Sequence, residues 1–179
     1  MLPITFLTIL RNYFSYYHLD LRNYYHLNES CLSKISSYCH INQISLNTYY
    51  PKVGYDKILE ILKKYQINSI NVYGGEETPD IYHNSCDILK EFITTSANTL
   101  TRIKICDCSL DENFIRIINS YTNLRNITLD NVSNLLNQSF HELRLPNLEC
   151  MQFKNCIELE DKMCVYIIQS CPTLKVNII

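Results

Sequence analysis

An apolar-x-x-apolar-x-apolar spacing returns along this chain at nearly constant intervals, and no other feature limits its fold as tightly. It reads Tyr16/Leu19/Leu21, Ile41/Ile44/Leu46, Ile67/Ile70/Val72, Leu100/Ile103/Ile105, Leu124/Ile127/Leu129 and Leu148/Met151/Phe153. Leu174 opens a seventh copy in CPTLKVNII. The first positions, 16, 41, 67, 100, 124, 148 and 174, are separated by 25, 26, 33, 24, 24 and 26 residues. Within each copy the last two apolar residues stand two apart, the period of a strand with one buried face. A period in the twenties, one short strand to each unit, is the mark of a solenoid. The seventh copy has two registers. Strict spacing turns Asn177 and Ile179 inward, and a slip of one residue turns Val176 and Ile178 inward.

Helical patterns lie between the strands. DKILEILKKYQI places Ile58, Leu59, Leu62 and Tyr65 on one stripe, and DENFIRIINSY does the same with Phe114, Ile117, Ile118 and Tyr121. EDKMCVYIIQSC repeats it with Met163, Tyr166 and Ile167. Tyr65, Tyr121 and Tyr166 therefore read as core positions. Each unit is expected to be a strand, a turn, a helix and a return. Neither the strand face nor the helix stripe of a lone unit is buried, and stacking the units joins them into one core. The sequence predicts a single α/β domain over 1–179, with the repeats in 16–179.

These units resemble leucine-rich repeats of the cysteine-containing kind, whose consensus runs roughly C-P-x-L-x-x-L-x-L-x-x-C-x-x-(I/L)-x-D. LTRIKICDCSLDENF and LECMQFKNCIELEDK follow its second half, and CPTL its start. Tyr24, Tyr49, Gly75 and Val132 depart from it where the post-strand cysteine belongs. The resemblance implies a solenoid of about six to seven repeats, with a parallel β-sheet on its concave face and helices on its convex face.

Cys106-Asp107-Cys108 invites a metal or redox reading. A structural metal site needs converging ligands, usually two closely spaced Cys or His pairs, and no such pair of pairs exists. Cys106 is expected on the outward face of its strand beside Lys104. Cys108, and Cys156 two repeats on, occupy the corner where the chain leaves the strand, a place suited to a small buryable side chain. Nine cysteines without framework spacing point to free thiols in a reducing compartment, cytoplasmic or nuclear. The apolar start MLPITFLTIL is too short to span a membrane and has no basic n-region. The Asn-rich composition, which also supplies the Asn-x-Ser/Thr sequons at Asn28, Asn126, Asn131 and Asn137, reads as compositional bias.

Two segments interrupt the period. The N-terminal 1–15 is expected to be a helix after Pro3, with Leu7, Leu10 and Phe14 on one face. It reads either as a cap closing the stack or as the remnant of an F-box, which begins with a similar Leu-Pro. The third unit carries an acidic insertion, 74–86, with Glu76, Glu77 and Asp80 after a Gly74-Gly75 turn. Repeat insertions become loops, either merely tolerated or used in binding.

Phosphate-binding loops, zinc-protease motifs and serine-nucleophile elbows are all absent from the sequence. Cys39-His40 is an adjacent pair without an orienting carboxylate. The chain is expected to be no enzyme, with no cofactor, no small-molecule substrate and no membrane. A net charge of −2, with no charged block, gives no bulk attraction to nucleic acid. The outward strand positions remain as the candidate surface: Asp20 and Arg22, Ser45 and Asn47, Asn71 and Tyr73, Lys104 and Cys106, Thr128 and Asp130, Gln152 and Lys154, flanked by His18, Gln43, Arg102 and Asn126. Such a polar surface fits a protein partner, with Tyr73 and Arg102 as favoured anchors because Tyr and Arg dominate binding hot spots. The expectation is an adaptor or scaffold binding a partner on its concave face. The F-box resemblance implies a substrate-recognition subunit that meets a ubiquitin-ligase adaptor. The alternative is an accessory subunit of a large assembly such as a ribosome or another ribonucleoprotein, with Arg102, Lys104, Arg125 and Lys154 meeting phosphates.

Overall fold

Five-residue strands that alternate apolar and polar side chains have one face to hide, and a parallel neighbour in matching register hides it by continuing the same row. The structure, a computed structural model, describes residues 18–22, 41–47, 65–74, 89–90, 96–110, 112–135, 139–171 and 174–178. They contain seven strands: β1 (His18–Asp20), β2 (Gln43–Asn47), β3 (Ser69–Tyr73), β4 (Arg102–Cys106), β5 (Asn126–Asp130), β6 (Cys150–Lys154) and β7 (Lys175–Ile178). They form one parallel sheet in sequence order, β1 to β7, a solenoid-like stack. Ile44, Ile70, Ile103, Ile127 and Met151 are consecutive partners in register, and so are Leu46, Val72, Ile105, Leu129 and Phe153. Each of these side chains is at most 2% exposed. The first position of the motif is buried as well, at Ile41, Ile67, Leu100, Leu124 and Leu148.

The seventh copy takes the slipped register. Met151 pairs with Val176 and Phe153 with Ile178. Ile178 is nevertheless 63% exposed, because β7 is the edge strand of the sheet.

Two α-helices are described over their whole length, α1 (Phe114–Ile118) and α2 (Asp161–Ser170), and Leu89, Lys90 and Ser96 between β3 and β4 are also helical. Phe114, Ile115, Ile117 and Ile118 of α1 and Met163 and Ile167 of α2 belong to the same core cluster as the inward strand rows. Tyr121, beyond α1, is fully buried and donates its hydroxyl to the carbonyl of Leu89. Tyr65 is partly buried against the core.

Three expectations are corrected. A helix in every unit does not hold: between β5 and β6 the described residues contain no α-helix, only 3₁₀ backbone at Leu135 and over Phe140–Glu142. The segment is rich in Asn and Ser, which compete with helical hydrogen bonds, and it fills the core with isolated residues, Leu135, Phe140, Leu143 and Leu145. Tyr166 is not a core residue but 41% exposed, edge-on to His141 with ring centroids 6.0 Å apart. Only Met163 and Ile167 carry the buried stripe of α2, so Tyr166 falls at its margin. Cys106, expected on the outward face, is 4% exposed. The expected N-terminal helix 1–15, the helix around Ile58 to Leu62, the pair Cys39-His40 and the insertion beyond Gly74 lie outside the described residues.

Polar ladders bind the units together. At the end of three strands the chain enters the left-handed region, at Asp107 (φ 53°), Asn131 (φ 51°) and Asn155 (φ 53°). Asp and Asn are the side-chain-bearing residues that tolerate it best. Asp107 N bonds Asp130 O at 3.0 Å, and Asn131 N bonds Lys154 O at 2.8 Å, which carries the strand pairing one residue further. Their side chains repeat the link: Asn131 donates to Asp107 at 2.9 Å and Asn155 to Asp130 at 3.2 Å. Elsewhere Asn123 donates to Asn98 O and Asn147 to Thr122 O, each one unit back. The abundant asparagines thus include a set of cross-repeat donors.

Candidate functional site

Alternation leaves the other row of each strand on the opposite face of the sheet. Register aligns Ser45, Asn71, Lys104, Thr128 and Gln152 in one row, and Asn47, Tyr73, Cys106, Asp130 and Lys154 in the next. A third row holds Gln43, Ser69, Arg102, Asn126 and Cys150. The buried residues of both described helices belong to the core on the other side. All ten expected contact residues, from Arg22 to Lys154, therefore sit on or at the edge of one sheet face. Their neighbours differ.

At the β1 end, Arg22 closes a two-pronged pair on Asp20, with Nε to Oδ1 at 2.9 Å and Nη2 to Oδ2 at 2.6 Å. That hydrogen bonding lowers the Asp20 pKa below its ordinary value and raises that of Arg22. The guanidinium also lies 4.6 Å from the centre of the Tyr73 ring, and the Lys104 ammonium lies 5.7 Å from the same ring, both within cation–π range. Tyr73, chosen from sequence as a lone aromatic anchor, is the hub of a Tyr–Arg–Lys cluster that spans β1, β3 and β4.

Cys106 lies within this cluster. Register places it between Tyr73 and Asp130, with Lys104 two residues back on the same side of β4. These larger neighbours cover a side chain that the strand itself turns outward, and it stands outside the main core cluster. Burial raises its pKa, with Lys104 partly opposing, so Cys106 is a neutral thiol at neutral pH. For Lys104, burial works against the charge, but Cys106, Tyr73 and Asp130 outweigh it and its pKa rises.

Next to the cluster, Ser45 is 1% exposed and accepts from Asn71 Nδ2 at 2.9 Å; its hydroxyl also meets His18 Nε2 at 2.8 Å. Thr128 donates to Gln152 at 3.4 Å. Arg102, the other favoured anchor, is exposed. Arg125 differs from the other cations considered for phosphate contact, because it is paired with Glu149 at 2.5 Å.

The corner cysteines turn back onto the backbone. Cys108 Sγ lies 3.0 Å from Cys106 O, and Cys156 Sγ 3.2 Å from Lys154 O. Val132 fills the equivalent corner of the unit between them and is 3% exposed. Among the described residues, no three His, Cys, Asp or Glu side chains are grouped as a metal would require. No helix among them is long and apolar enough to cross a membrane.

The sequence reading missed the Asp107–Asn131–Asn155 ladder and the clustering around Tyr73. The first had a signal: the three residues are spaced by 24 and each precedes a corner residue. The second depends on side-chain rotamers, for which a sequence carries no signal. No protein-family model matches the chain, and no curated protein matches it.

Proposed function

We propose that this chain is a non-catalytic interaction module of the leucine-rich-repeat class, which holds a protein partner on the polar face of its sheet. In this reading six to seven units curve so that this face is concave and the helices lie on the convex side. The observation that carries it is the Tyr73–Arg22–Lys104 cluster. An aromatic ring held by two cations on a rigid sheet is preorganised, so little side-chain entropy is lost on docking. Tyr and Arg are also the residue types that dominate binding hot spots. The raised pKa values of Cys106, Cys164 and Cys171 are the opposite of what a thiolate nucleophile needs. The resemblance in segment 1–15 extends the proposal to a substrate-recognition subunit joined to a ubiquitin-ligase adaptor, in the cytoplasm or nucleus. A ribonucleoprotein subunit is the second reading, and it rests on the cations Arg102, Lys104 and Lys154.

The test is affinity purification of the tagged full chain from cell extract. Tyr73→Ala removes the hub, Thr128→Arg sets a long side chain in the middle of the face, and Arg116→Ala changes the exposed side of α1. The wild-type partners are expected with Arg116→Ala and are expected to fall roughly thirtyfold or more with the other two, the scale of a hot-spot loss. Recovery of the same proteins with all four chains overturns the proposal.

A further inference from the structure

The charge on the polar face is not distributed like the charge of the chain. The chain as a whole carries −2. On the rows of β4 to β7, Arg102, Lys104, Lys154 and Lys175 face one carboxylate, Asp130. The β1 end is balanced, because Arg22 is satisfied by Asp20. Arg102 and Lys104 stand on the same side of one strand, about 7 Å apart at two residues' spacing. No ion pair joins Arg102 or Lys104 to another described residue, and the Lys104 ammonium lies over the Tyr73 ring rather than against a described carboxylate. Asp107 and Asp130 lie toward the other end of β4 and its neighbour. They leave the Arg102–Lys104 end as the place where an anion gains most.

We infer that the partner presents an acidic segment, whose carboxylates dock on Arg102 and Lys104 of β4. This rests on the interaction reading above and gives it a chemistry. These cations steer association and fix register, and their attraction weakens with salt. A polyphosphate backbone fits less well than discrete carboxylates. Running along β4, its closely spaced charges would meet Asp130 at one end, and at the other end the next cation past Arg102, Arg125, is already neutralised by Glu149.

The probe is a fluorescein-labelled twelve-residue peptide of alternating Glu and Ser, compared by anisotropy at low salt with its Gln-for-Glu counterpart and a twelve-nucleotide single-stranded RNA. The Glu peptide is expected to bind in preference to both. Its affinity should fall roughly tenfold in the R102Q/K104Q double variant and stay within about twofold in Arg125→Gln. Equal binding of the Gln peptide, or undiminished binding by R102Q/K104Q, overturns the inference. So does tighter binding of the RNA with the same loss in the double variant, which assigns the surface to phosphates. An unchanged melting transition for R102Q/K104Q shows that the loss is not misfolding. If cell-extract partners survive R102Q/K104Q but are lost with Tyr73→Ala, the docking face stands and its acidic partner chemistry fails.

Discussion

Gly74→Ala is expected to lower stability by about 3 kcal/mol, one of the largest single-residue effects in the chain, although it adds one methyl group. Gly74 follows β3 and passes directly over the corner of the next unit. A Cβ there would lie 1.8 Å from the carbonyl oxygen of Asp107, 2.7 Å from its carbonyl carbon and 3.1 Å from Cys108 Sγ. The oxygen and carbon belong to backbone that cannot swing aside alone. Asp107 N is bonded to Asp130 O, and Asp107 sits at φ 53°, so relief would disturb the ladder into β5. Gly74 N also donates to Cys106 O at 2.7 Å, which holds its own backbone in place. Chemical denaturation followed by circular dichroism measures the effect. A midpoint within about 0.5 kcal/mol of wild type, the scale of an ordinary surface change, would mean that the corner is not packed this way.

Ile127→Asp and Thr128→Asp, one residue apart, should have opposite outcomes. Ile127 is fully buried between Ile103 and Met151. Removing its side chain costs roughly 2–5 kcal/mol, and a carboxylate in its place adds an uncompensated buried charge. The sum approaches the whole stability of a typical domain, about 5–15 kcal/mol, so Ile127→Asp should fail to fold cooperatively. Thr128 lies on the polar face beside Lys104 and Gln152, where Asp meets a cation and loses only β-propensity, about 1 kcal/mol or less. Soluble yield and a cooperative melt separate the two. Equal damage from both would mean that the strand is buried on both faces.

The part of the fold written in apolar spacing was legible from sequence. The motif positions 41, 67, 100, 124 and 148 head β2 to β6, and the polar residues between the inward rows form one face, because a period of two permits only one division of a strand. The seventh register was not legible. Leu174, Val176 and Ile178 offer a period of two as readily as the strict motif offers Asn177 and Ile179, and backbone pairing decides between them. Tyr166 was misplaced because helical spacing gives the centre of a stripe and not its width. Cys106 was misplaced because alternation gives direction and not cover. Its register partners, Tyr73 and Asp130, belong to other units. The turn ladder is a polar repeat that apolar periodicity does not contain, although the left-handed backbone at Asp107, Asn131 and Asn155 favours Asp and Asn over other side-chain-bearing residues.

One parallel ladder in a single register underlies both the packing and the docking face. Interstrand backbone NOEs on the isotope-labelled protein test it directly. Contacts should join Ile44 to Ile70, Ile70 to Ile103, Ile103 to Ile127 and Ile127 to Met151 in the pattern of parallel strands. Antiparallel contacts, or a register shifted by one residue between any of these pairs, would turn one unit's inward row to the polar face and contradict the account.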